Sequence, residues 1–221
     1  MLVSRYVNKN VPGLEMSTAL ADIIPEEYPS GLVYAPVLEN GQFLGFLDIE
    51  DLESMMDDHE KVSDCPLEKV SHLLKEDQHL FEVLPFFEKT GLPVLPVIDA
   101  EMQFSGVLEI SAAASAFVSS YSFQTEGGSL VLSIPAIQYS LSELSRLVEA
   151  NQGKVLSVLL EADPLLNQNY LVHLKINQPD LSRIVATLER FEYNVLEVHQ
   201  TLEASSIDKD RFDQLMRYLG I

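Results

Sequence analysis

The feature that most constrains this chain is an internal repeat. Tyr34 to Leu52 recurs, altered, at Leu95 to Ala113. The first copy runs Ala35-Pro36-Val37-Leu38-Glu39, then Asn40-Gly41, then Phe43-Leu44-Gly45-Phe46-Leu47-Asp48 and Ile49-Glu50-Asp51-Leu52. The second runs Leu95-Pro96-Val97-Ile98-Asp99, through Ala100 to Met102, then Phe104-Ser105-Gly106-Val107-Leu108-Glu109 and Ile110-Ser111-Ala112-Ala113. The shared order is proline, aliphatic pair, acid, turn, glycine, apolar pair, acid, with one residue inserted in the turn. Repeats decide a fold before any local propensity does.

Each copy reads as a hairpin feeding a helix. Asn40-Gly41 suits a type I′ turn, whose two central residues both need positive φ. Gly45, inside the return strand, marks a place where another backbone or a ligand comes close. Asp48 caps a helix from about Ile49 to Met56, and Glu109 stands at the same exit in the second copy. One copy leaves a sheet face uncovered, so two copies form the folding unit.

The repeat resembles the cystathionine-β-synthase (CBS) domain, which occurs in tandem pairs. The likeness covers roughly residues 11–118 and rests on Ala35 to Glu39, Gly91 to Asp99, Gly45 to Asp51 and Gly106 to Ala112. It implies a pair of βαββα-type repeats at about 11–58 and 62–118, within a first domain of residues 1–120. It also implies an adenine-nucleotide site marked by Gly, two apolar residues, Ser or Thr, and a later Asp that receives the ribose hydroxyls. Gly45, Phe46, Leu47 and Asp51 keep this pattern, whereas Asp48 stands where Ser or Thr belongs. In the second copy Glu109 replaces Ser or Thr and Ala112 replaces the ribose Asp. Like charges about 4 Å apart repel by ~4 kcal/mol at an effective dielectric near 20. The second site is therefore expected to reject AMP and ATP, and the first to take a nucleoside without phosphate or a cation-bridged ligand. Tyr34, Pro36, Gly45, Asp48 and Asp51 are the candidate ligand contacts, and an adenosine derivative is the candidate ligand. The competing reading is that Asp48 and Glu109 merely cap helices.

Outside the repeat, Met16 to Ile24 reads as a helix capped by Ser17 or Thr18 and ended by Pro25. Pro29-Ser30-Gly31 is a loop. Residues 53–60 are dense in carboxylates without calcium-loop spacing and read as a solvated helix end. Val62 to Lys75 reads as a link between the copies, with Cys65 a structural thiol. Leu80, Val83, Leu84 and Phe87 mark a core-facing helix; Pro85 either kinks it or delays its start. His72 and His79 read as surface residues.

Residues 121–128 read as a linker. Beyond them come strand Leu130 to Ile134, a helix capped by Ser140 with Glu143 and stopped by Gly153, and strand Val155 to Leu160. A turn at Asp163-Pro164 leads to the alternating strand Tyr170 to Ile176. A helix from Pro179 ends at a left-handed Asn194, and the last strand is Val195 to His199. This order is a split βαββαβ unit at 129–200, so the whole chain is α+β. The unit is similar to the ACT domain, a small-molecule regulatory module, but its first strand-to-helix turn, Ile134 to Tyr139, lacks the Asp and Pro-Gly of amino-acid-binding members. His173 and His199 read as outward-facing strand residues. Residues 201–221 carry a tail helix, Asp208 to Leu219, with Phe212, Leu215, Met216 and Leu219 on one face; it needs a docking surface.

The formal charge is −20, which repels nucleic-acid phosphates and anionic membrane surfaces. The 47% hydrophobic content supports packed cores. Met1 to Asn10 is polar, and the single cysteine excludes an intrachain disulfide, so a cytoplasmic protein is expected. There is no triad order, Walker loop, GxGxxG or zinc spacing, so neither catalysis nor a metal is expected. The combined arrangement resembles the CBS–ACT regulatory proteins of acetoin utilisation. It implies a homodimeric ligand-sensing module, or else a structural or protein-interaction subunit whose sites have decayed and whose protein partner is unidentified.

Overall fold

The computed structural model describes residues 1–24, 27–28, 32–50 and 52–200. Asp51, the Pro29-Ser30-Gly31 loop and the expected tail helix lie outside them. The fold is α+β, in two compact units, Met1–Val118 and Ser119–Ile221.

The first unit holds two three-stranded sheets of the same design. In one, β1 (Leu14–Glu15) runs parallel to β2 (Tyr34–Glu39), which pairs antiparallel with β3 (Gln42–Asp48). A short helix α1 (Leu52–Met55) follows. The other has β4 (Leu74–Lys75), helix α2 (Leu80–Thr90), β5 (Val94–Ile98), β6 (Phe104–Glu109) and helix α3 (Ile110–Val118). The registers repeat as well: Leu14 faces Val37 and Leu74 faces Val97, sixty positions on. Asn40 and Gly41 have φ of 53° and 77°, as a type I′ turn needs. The second turn instead uses Asp99, whose Oδ1 accepts from the N–H groups of Glu101 and Gln103, and a left-handed Met102. The two turns abut: the Phe104 N–H donates to the Gly41 carbonyl at 2.9 Å, and Phe43 stacks on Phe104.

Repeat boundaries drawn from sequence cut across the cores. The segment before the first repeat closes the second: Asn8 and Val107 exchange two backbone hydrogen bonds, 2.8 and 3.1 Å, and Val3 is buried with Leu74, Leu80, Leu95 and Leu108. The stretch expected as a link closes the first: Phe46 and Glu68 exchange bonds of 2.9 and 2.8 Å, and Val62 and Cys65 are buried with Ala35, Val37 and Phe46. Burying a valine side chain such as Val3 is worth about 1.5–3 kcal/mol, so these exchanges are core structure.

The helix expected over 16–24 is absent. Leu14–Glu15 is a strand, Thr18 Oγ1 accepts from the Glu15 N–H, and only a 3-10 turn, Leu20–Asp22, follows. The equivalent stretch of the second repeat is α2, which begins at Leu80 and contains Pro85. The proline removes the bond to the carbonyl of Phe81. Burial of Leu80, Val83 and Phe87 outweighs that loss, the His79 ring caps the start by accepting from the Phe81 N–H, and a left-handed Gly91 ends it. The first repeat carries a second proline, Pro29, where α2 has Lys89. The helix after Asp48 is likewise shorter than expected, Leu52–Met55.

In the second unit, the expected linker holds a short helix, α4 (Tyr121–Gln124). Then come β7 (Gly128–Pro135), α5 (Leu141–Glu149), β8 (Val155–Ala162), β9 (Asn169–Ile176), α6 (Ser182–Arg190) and β10 (Asn194–His199). The sheet order is β10-β7-β9-β8, all neighbours antiparallel, a ferredoxin-like βαββαβ arrangement. Leu130, Leu132, Ile134, Val172, Leu174 and Ile176 meet Leu144, Leu147, Val148, Ile184 and Leu188 in one core. Ser140 Oγ accepts from the Glu143 N–H at the start of α5. The left-handed residues differ from those expected. Gln152, not Gly153, turns the chain after α5, and Glu192, not Asn194, turns it after α6. Gly153 is small because a Cβ there would press on Val148 and Ile184.

Candidate functional site

The candidate cleft of the first repeat is built where β2 begins and β3 ends. Antiparallel register sets Tyr34 opposite Asp48 and Pro36 opposite Phe46. Tyr34 is half-buried, with its ring edge-on to Phe46 at 6.2 Å. Burial holds its phenol above the ordinary tyrosine range, and the charges of Asp48, Glu68 and Glu50 raise it further. Asp48 Oδ1 accepts from the Glu50 N–H at 2.9 Å, so this carboxylate organises the turn into α1. Glu68 reaches the cleft because its backbone is bonded to Phe46. Among the described residues, Asp48, Glu50 and Glu68 enter no ion pair.

The other candidates fall differently. Pro36 and Gly45 are buried. A Cβ on Gly45 would stand 3.1 Å from the Glu68 carbonyl oxygen and 3.1 Å from the Leu67 side chain. The close approach that this glycine permits is therefore a second backbone. Asp51 lies outside the described residues. Tyr34 and Asp48 are thus brought together, and Pro36 and Gly45 form the wall behind them.

The second repeat has Val94 opposite Glu109. Here the carboxylate is engaged: Asn8 Nδ2 donates to Oε1 and Ser111 Oγ donates to Oε2, both at 3.3 Å. Asn8 and Glu68 are the exchanged residues of the two repeats. An amide beside one acid and a second acid beside the other set the two clefts apart electrostatically. Sequence pattern missed both residues, since each lies outside the repeat copy whose strand it joins.

Elsewhere the ionisable residues do structural work. Burial pushes the Cys65 thiol up, and Asp64 adds to this. Asp163 Oδ1 accepts from the N–H groups of Leu165 and Leu166, and its Oδ2 accepts from Ser133 Oγ. These bonds, led by that from Leu165, hold its carboxyl below the usual range. His173 and His199 lie on the sheet's outer side beside Glu161 and Glu197. His72 stacks on Phe86. No cluster of three metal-ligating side chains occurs among the described residues, and no described helix is long and apolar enough to cross a membrane.

No family model matches the chain. An uncharacterized protein of Methanocaldococcus jannaschii is 23% identical over 98% of this chain and 81% of its own. Among solved structures, a CBS domain pair/ACT domain protein from Thermotoga maritima aligns with a TM-score of 0.46 and 23% identity. That alignment covers 53% of this chain and 97% of the other. CBSX2 in complex with AMP, from a protein of Arabidopsis thaliana, aligns with a TM-score of 0.43 and 19% identity, over 53% of this chain and 96% of the other.

Proposed function

We propose that this protein is a non-catalytic regulatory module that senses an adenosine-type ligand at its first repeat and works as a cytoplasmic homodimer. The reading takes the duplicated hairpins as a CBS pair and the βαββαβ unit as an ACT-like domain, in the manner of the acetoin-utilisation regulators. The observation that carries it is the pairing of Tyr34 with Asp48 at the open end of β2 and β3, with Glu50 and Glu68 beside them. An aromatic ring and hydroxyl acceptors suit a nucleoside. Three carboxylates that enter no ion pair among the described residues oppose a phosphate, whose charge would be repelled by ~4 kcal/mol for each contact near 4 Å.

A thermal-shift panel of adenosine, AMP, ADP, ATP and S-adenosylmethionine tests it. Ligand at a hundred times its dissociation constant stabilises the protein by about 2.7 kcal/mol. The response is expected from the unphosphorylated compounds, lost in Asp51→Ala and kept in Ala112→Ser. A response that survives Asp51→Ala refutes the site.

The second reading is a structural or protein-interaction subunit with degenerate sites. The observation favouring it is Glu109, already engaged by Asn8 and Ser111 where a ligand would need room. A panel without response, together with a stable dimer, would decide for this reading.

A further inference from the structure

Away from that cleft, at the far end of the second repeat's sheet, two turns stand side by side. One begins at Lys75, the last residue of β4, and carries Glu76 and Asp77; the other joins β5 to β6 and carries Asp99 and Met102. Between them lies an open groove of about 400 Å³, within the range of small-molecule sites. Ile98, 2% exposed, is on its floor, and Met102, 52% exposed and held left-handed, is on its wall.

The groove carries one cation, Lys75, and three acids, Glu76, Asp77 and Asp99, and no ion pair joins them to one another among the described residues. Glu76 is neutralised by Lys9 at 2.7 Å and accepts from Ser105 Oγ. Lys75 enters no ion pair among the described residues. Asp99 Oδ1 accepts from the N–H groups of Glu101 and Gln103, and among the described residues no hydrogen bond falls on Oδ2. Asp77 is exposed. A phosphate would meet Lys75 but be repelled by Asp77 and Asp99, and a simple cation would meet those acids but be repelled by Lys75. A divalent metal lacks the three clustered ligands it needs among the described residues. A zwitterion with an apolar tail satisfies every wall. The first repeat has Glu15 and Ser17 where the second has Lys75 and Asp77, so its charge pattern differs.

We propose that this groove binds a free α-amino acid with an apolar side chain. The carboxylate sits on Lys75, the ammonium between Asp77 and Asp99, and the side chain over Ile98 and Met102. This assignment stands independently of the adenosine reading.

The test is amide-resolved NMR of the full chain, titrated separately to millimolar concentration with leucine, isoleucine, valine, methionine and phenylalanine. Two controls each lack one charge: isopentylamine has no carboxylate and 4-methylpentanoate has no ammonium. Saturable shifts at Lys75, Asp77, Ala100 and Met102 are expected with at least one amino acid and with neither control. Lys75→Met and Asp77→Asn, both at exposed positions, should each weaken that binding roughly tenfold or more, one lost charged contact being worth about that factor. The proposal is overturned if no amino acid gives saturable shifts, if the shifts map elsewhere, if a control binds equally well, or if affinity survives Lys75→Met.

Discussion

The carbonyl oxygen of Asn8 fills the space into which a Cβ on Gly106 would project, and Gly106 has a φ of +148°. Gly106 is thus the point where the segment around Asn8 seals the second repeat. Gly106→Ala should destabilise the first unit by about 1–3 kcal/mol through overpacking, with backbone strain added. Gly45→Ala, with its nearest atoms at 3.1 Å, should cost less. Urea denaturation of the two variants checks the order; equal costs would show that the exchange does not set it.

Tyr28 is 6% exposed, and among the described residues its hydroxyl has no hydrogen-bond partner. Burial, with Glu27 adding, pushes its phenol up to about 12. An unsatisfied buried hydroxyl costs about 1–3 kcal/mol. Tyr28→Phe, which keeps the ring, is therefore expected to leave stability unchanged or raise it by about 1 kcal/mol. A clear fall in the melting temperature of this variant would contradict that account.

Asp163, 8% exposed, braces the β8–β9 turn. Its folded pKa is depressed, so the stability it contributes is present above the unfolded value near 3.9 and is lost as pH falls through the lower folded value. Urea midpoints should drop across that acid window in the parent. In Asp163→Asn they should be lower at neutral pH and flatter in acid. An unchanged acid slope in the variant would locate the titration elsewhere.

The acids around Tyr34 make a directional prediction. Glu68→Gln removes one of the charges that raise its phenol, so the pKa of Tyr34 must fall. Carbon-labelled tyrosine NMR reads the shift, with Tyr34→Phe giving the assignment. A rise, or no change, would place Glu68 too far from the ring to act on a ligand there.

The Cys65 thiol, buried and shifted up, should react with a disulfide reagent only when the protein opens. Its labelling rate should rise steeply with urea and plateau where unfolding is complete. Fast labelling under native conditions would mean that the 62–68 segment detaches on its own.

The duplication was legible because glycine, proline and acid recur in one order, and the Asn40-Gly41 turn because few dipeptides tolerate two positive φ values. The single buried face of β9 was legible from strict alternation at Val172, Leu174 and Ile176. What escaped was long-range. Nothing local to Val3 or Asn8 says that the first joins the second repeat's core or that the second pairs with Val107. Pro25 and Pro85 stand at equivalent sequence positions; the second copy keeps an eleven-residue helix through its proline because Leu80, Val83 and Phe87 are buried, a balance that propensity alone does not give. The candidate cleft was half legible. Tyr34 and Asp48 follow from hairpin register, but Glu68 arrives through a pairing that no pattern within the repeat encodes.

The crossed closure of the two repeats also orders events on the ribosome. Glu68 follows its partner Phe46 closely in synthesis, so the first sheet can be completed soon after it emerges. Asn8 must wait for Val107. At about 5–20 residues per second that delay is on the order of ten seconds. Throughout it the Asn8 segment has no mate, and the second repeat acquires its closing backbone pair from a part of the chain made long before it.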